Sequence, residues 1–188
     1  NYQEIEEVNN NYFKPTAIDL EIMKDSSHPR VFNLTGQDPF ADALTSYFHR
    51  SIGGYHPAKL SIYDDLYTRQ LRKQPLNIQV LNMLNAKYII VPNPQTQEPA
   101  LQINPGALSY VWFVPHIQYV NDAGAALIAL DSFNPKDTAI VEIKFKNKIP
   151  FEPSFDSGAT IVQILNDNDL ISYQSSSKSN QFAVFSEI

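Results

Sequence analysis

The stretch Tyr88-Ile89-Ile90-Val91 limits the fold more than any other part of the chain. It is an unbroken run of β-forming apolar residues cut by Pro92, with no alternation of polar and apolar positions. A strand of this kind has no face to offer to water, so it suits a sheet covered on both sides. Arg30-Val31-Phe32-Asn33-Leu34 reads as a second short buried strand, ended by Thr35-Gly36. Strand, two helices and strand within about 60 residues make a crossover unit, for which right-handed parallel pairing is the default. The predicted class is therefore α/β in the mixed α+β sense, a small sheet with crossover helices followed by the start of an all-β module.

The helices are read from spacing and caps. Ala17, Ile18, Leu20, Ile22 and Met23 support one short helix between Thr16 and Lys24. Ala41, Leu44, Thr45 and Phe48 share a face over one or two turns. Gly53-Gly54 must break that helix, since paired glycines allow positive φ or close backbone approach. The expectation is a sharp turn that brings Tyr47–His49 near Tyr55–His56. Pro57 fits the first turn of the next helix, where its missing N–H costs nothing. Leu60, Tyr63, Leu66, Tyr67 and Leu71 form its apolar stripe, with Asp64 and Asp65 early and Arg69, Arg72 and Lys73 late. A further short helix from about Asn77 to Leu84 buries Ile78, Leu81 and Leu84 with Val80 or Met83, and Asn85 suits a left-handed cap.

Beyond the Pro- and Gln-rich loop 92–99, strands are predicted at Ala100–Ile103, Tyr110–Val114 with an extension over Ile117–Val120, and Thr138–Phe145. Asn121-Asp122 caps a helix from Ala123 to about Leu130. From Lys146 the pattern changes to short strands at 160–165, 170–174 and 181–188 between Asn/Asp and Ser-rich turns. Three segments follow: an N-terminal arm with a short helix (1–29), an α/β domain (30–148), and the beginning of a truncated β-rich module (149–188). The chain starts at Asn1 with no leader and stops in Phe182–Ile188, so it reads as an excised piece of a longer protein.

Among 188 residues, 43% are apolar and 12% aromatic, enough for a sizeable core. A formal charge of -6 argues against nucleic acid or an anionic membrane surface as partner. The chain has no cysteine, which excludes disulfides and thiolate metal sites. No run approaches the roughly 18 apolar residues that span a bilayer.

The candidate ligand-binding residues cluster around the glycine pair: Tyr47, His49, Arg50, Tyr55, His56 and Lys59. They offer stacking faces, donors and a charge near a helix start, suited to a sugar or a lipid phosphate. The plainer reading keeps Tyr47 and Phe48 in the core and has the histidines bond nearby carbonyls. His49 and His56 lack a third ligand at a metal-site spacing, so no metal is predicted. Asp64-Asp65 point apart on a helix, and Asp65 with Arg69 makes an ordinary i,i+4 pair. Asn166-Asp167-Asn168-Asp169 fails the calcium-loop pattern at Ile171 and Lys178 and reads as a hairpin turn. Asn33-Leu34-Thr35 matches a glycosylation sequon, and Trp112 offers a sugar-stacking platform, although between Val111 and Phe113 it reads as core. No nucleophile elbow, phosphate loop, zinc helix or dinucleotide glycine pattern occurs, so neither a catalytic residue nor a cofactor is predicted.

Several stretches in order nonetheless resemble one family. They are Arg30-Val31 with Asn33-Leu34, Thr45–Phe48 leading into Ser51–Leu60, and Leu81–Ile90 (LNMLNAKYII). Asn104-Pro105 with Ala107-Leu108, Trp112–Val114 and Val184–Ile188 follow. Their order and spacing resemble the YfhO family of large multi-pass bacterial membrane proteins, as found in gut-type Bacteroidetes. The likeness runs from about Thr16 to the end. It implies a membrane-embedded, lipid-sugar-dependent glycosyltransferase (GT-C type) acting on cell-envelope polymers. The present chain would be its extracytoplasmic, C-terminal part, periplasmic or extracellular. Membrane helices and catalytic acids would lie in the preceding part, and no family catalytic residue maps onto this chain. The implied partners are the protein's own membrane region and an envelope glycan or lipid-linked sugar. A carbohydrate-binding or purely structural envelope module is the alternative.

Overall fold

A computed structural model of the chain describes residues 13–27, 29–36, 38–167 and 169–186. The expected arm up to residue 12, Asn168 of the Asn/Asp run, and Glu187-Ile188 at the end of the last strand lie outside the described residues. Helices and strands mix around a small sheet, and the fold is α/β. The chain divides into two compact units, one of residues up to 58 together with 86–105, the other of 59–85 with 106–188.

The first unit is built on the two strands foreseen as buried. β1 (Arg30–Asn33) and β3 (Ala86–Pro92) pair in parallel, with Asn33 opposite Ile90. The two-residue β2 (Arg50–Ser51) pairs in parallel with the other edge of β1, and β4 (Pro99–Ile103) runs antiparallel to β3, giving the order β2-β1-β3-β4. Tyr88, Ile89 and Ile90 are all buried in succession, so β3 is covered on both faces as its composition requires. α1 (Ala17–Ile22) drives Ile22 against Val31, Tyr88 and Ile90, with Ile18 and Leu101 beside them. α2 (Leu44–Phe48) leads into β2.

In the second unit, α3 (Ser61–Leu66) continues into a π-helical turn, Tyr67–Leu71. This helix starts four residues later than Pro57 suggested. Leu60 is extended, and the Ala58 N–H is taken by Nδ1 of His56 instead of opening a helix. α4 (Ile78–Met83) buries Val80 and Leu81, with Leu84 just after it, whereas Ile78 at its first turn is exposed. Asn85 takes φ 55°, the left-handed cap expected of it. β5 (Val111–Val114) pairs with β10 (Phe182–Phe185), β6 (His116–Val120) with β7 (Thr138–Glu142), and β8 (Thr160–Asn166) with β9 (Ile171–Ser176). α5 (Ala123–Ala129) is capped by Asp122, whose carboxylate accepts the Ala125 N–H at 2.8 Å.

Two expectations change. The strand from Thr138 stops at Glu142, because the chain tightens into a 3-10 turn over Ile143–Lys148 and leaves Phe145 exposed. The boundary placed at 148/149 is crossed by the β5–β10 ladder, so β10 shares a sheet with the segment before it, while β8 and β9 pair with each other.

Candidate ligand cavity

A cavity of about 710 Å³ opens in the first unit where its parallel strands end. Asn33 and Thr35, at the carboxyl end of β1, form one wall with Ile90 of β3. The order β2-β1-β3 sends the chain from β1 to one side and brings it back on the other. A topological switch of this kind leaves a crevice outside the carboxyl ends of the strands.

Local hydrogen bonding explains why each polar wall residue stands where it does. Thr16 and Asp19 form a reciprocal cap on α1: the Thr16 hydroxyl accepts the Asp19 N–H at 3.2 Å, and Asp19 Oδ2 accepts the Thr16 N–H at 2.7 Å. Asp19 Oδ1 accepts from Nε2 of His49 at 2.8 Å, a pair with side chains only 4% (His49) and 13% (Asp19) exposed. Burial works to raise the Asp19 carboxyl, but hydrogen bonds from Thr16 and His49 outweigh it and hold it below the ordinary range.

Across the cavity, Asp42 Oδ1 accepts the Leu44 N–H at 2.8 Å and so sets the start of α2. Its Oδ2 accepts from the Thr45 hydroxyl and from Asn33 Nδ2, the latter at 3.2 Å. Asn33 Nδ2 also donates to Thr45 Oγ1 at 2.9 Å, and Asn33 Oδ1 accepts the Thr35 N–H and hydroxyl at 3.0 and 2.7 Å. An amide so engaged makes a poor glycan acceptor, which accounts for the sequon without invoking glycosylation. Ile18, Leu44 and Phe48 supply apolar surface. Asp19 and Thr35 keep acceptor capacity beyond these bonds, and together with the apolar side chains of the lining they suit a polyol, whose hydroxyls need polar partners while its C–H faces need none.

The six residues predicted around Gly53-Gly54 take different settings. His49 turns inward to Asp19, while Tyr47 is 61% exposed, 4.6 Å from the Phe13 ring and edge-on to Phe48 at 4.9 Å. Arg50 lies in β2 opposite Arg30, Tyr55 is 69% exposed, and His56 bonds the Ala58 N–H. Lys59 belongs to the second unit, its ammonium 5.9 Å from the Tyr67 ring centre. Of the six, His49 contacts the lining residue Asp19 and Tyr47 contacts the lining residue Phe48.

Sequence reasoning missed Asp19, Asn33, Asp42 and Thr45. The signals present were the Thr16…Asp19 capping spacing and the Asn-Leu-Thr triplet. Among the described residues no group of three or more His, Cys, Asp or Glu is placed to hold a metal, and no helix is long and apolar enough to cross a membrane. Comparison with protein families, with curated proteins and with solved structures gave no match for this chain.

Proposed function

We infer that this chain is the non-catalytic extracytoplasmic domain of a membrane glycosyltransferase of the YfhO-like kind, whose first-unit cavity holds a sugar of an envelope acceptor or lipid-linked donor. The observation that carries the reading is the Asn33–Asp42–Thr45 wall at the carboxyl ends of β1 and β3. It is fixed before any ligand arrives, which lowers the ordering cost of binding. The order of the resembling stretches supports the membrane partner. Asp19 and Asp42 commit oxygens to backbone N–H groups at helix starts, a positioning role rather than that of a general base.

The test is a thermal melt of the chain against envelope sugars and polyprenyl-phosphate head-group mimics. A ligand that binds only the folded state, present at a hundred times its dissociation constant, adds about 2.7 kcal/mol. Asp42→Asn, which keeps the shape of the side chain, and Thr45→Val are expected to remove the shift. A flat panel would leave a purely structural domain. A parent gene without membrane-spanning segments would overturn the membrane assignment.

A further inference from the structure

We propose that the second unit carries a separate saccharide subsite built on Trp112 and Phe155. A cavity of about 650 Å³ lies there, with Trp112, Asn134, Lys136, Phe155 and Gln181 among its lining residues.

Phe155 is 82% exposed, an unfavourable setting for a phenyl ring. A slack loop does not explain it, because both neighbours are pinned. The Ser154 N–H donates to the Asn180 carbonyl at 3.0 Å, and the Ser154 carbonyl accepts from Gln181 Nε2 at 2.8 Å and Ser179 Oγ at 3.1 Å. Asp156 accepts the Lys178 N–H at 2.8 Å, the Gly158 N–H at 2.9 Å and the Ser177 hydroxyl at 3.0 Å. The ring is therefore presented on fixed backbone. Trp112 is half-buried, and its indole N–H donates to the Pro135 carbonyl at 2.8 Å, which sets the ring plane.

The Trp112 ring is held before binding and Phe155 stands on pinned backbone, so the ordering cost falls on the Phe155 side chain, which has few torsions to fix when a ligand covers it. The polar groups around them fit a pyranose better than a purely apolar ligand. Asn134 is preset by its bond to Asp137 at 2.9 Å, Gln181 is oriented by Ser154, and Lys136 is the only cation among the described lining residues. The C–H face of a sugar would lie on the rings while its hydroxyls take the amides and the ammonium. This subsite stands on its own geometry and does not require the first-unit cavity to bind anything.

The experiment is an amide and indole N–H titration of the whole chain by NMR with three soluble probes: chitotriose, maltotriose and a uronic-acid trisaccharide. Trp112 is the single tryptophan, so its indole signal is assigned at once. At least one probe is expected to shift that signal and the amides of 154–156. Phe155→Ala is expected to weaken binding about tenfold, as loss of one stacking ring implies, with other amides unchanged. Asp42→Asn, in the first unit, should leave these shifts intact, which separates this subsite from the other cavity. Silence with all three sugars, shifts that survive Phe155→Ala undiminished, or a Phe-rich peptide acting where sugars do not would each overturn the assignment.

Discussion

Asp25 shows how one side chain can tie distant segments and give the fold a pH limit. It accepts from the Lys87 ammonium, from Ser27, and from the Tyr88 hydroxyl at 3.0 Å. The Lys87 bond first, then those from Ser27, hold its carboxyl far below the usual range, while Asp25 in turn pushes the Lys87 ammonium up. A carboxylate with a depressed folded pKa stabilises fully above its unfolded pKa and loses that contribution as pH falls toward the folded value. Melting temperature is therefore expected to drop between about pH 4 and pH 2, and Asp25→Asn to flatten that slope. An unchanged slope in the variant would assign the acid sensitivity elsewhere. The glycine pair makes a second prediction. A methyl on Gly53 would sit 2.2 Å from the Pro39 carbonyl oxygen, and Gly54 holds φ 109° with its added carbon 2.6 Å from Ser46 Oγ. Either alanine substitution should cost about 1–3 kcal/mol in urea unfolding. The pair was legible as a place of positive φ or close approach, and it holds one of each. What it brings together was not, because Pro39 and Ser46 precede it by turns no periodicity encodes.

At the scale of elements, the π-helical turn after α3 has a clear use. It buries Gln70, whose Nε2 donates to the Leu127 carbonyl at 2.6 Å and to Asp131 at 2.8 Å, while its Oε1 accepts from Asn77. Asn77 reaches the Leu130 carbonyl at 3.0 Å and also caps α4, so one polar cluster ties two helical segments to the end of α5. Gln70→Leu would leave these partners unsatisfied and is expected to cost about 1–3 kcal/mol, read by denaturant unfolding. Thr16→Ala, which removes the α1 cap, should cost about 1 kcal/mol. Helix positions were largely legible here, since Asp122 and Asn85 act in caps that their residue types announce. The π turn was not: Leu60, Tyr63, Leu66, Tyr67 and Leu71 fit an ordinary helical stripe, yet Leu60 is exposed. The cavity wall was hidden for a related reason. Asp19, Asn33 and Asp42 each look like local capping or turn residues, and only the β1–β3 pairing sets them around one space.

For the whole molecule, each compact unit draws on two separate stretches of chain. Removing 149–188 as though it were a module would take away β10 and leave β5 without its ladder. The fragment 1–148 is expected to lose the native fluorescence of Trp112, which lies in β5, and a fragment that kept it would show that the first strand of that pair stands alone. The β1–β3 ladder has a consequence in the timing of synthesis. Asn33 must wait for Ile90 to emerge before their ladder can close. At about 5–20 residues per second that interval is roughly 3–11 s. Throughout it the apolar Val31 and Phe32 have no β3 to pair with, so mispairing of the nascent chain is governed by elongation speed rather than by the stability of the finished fold.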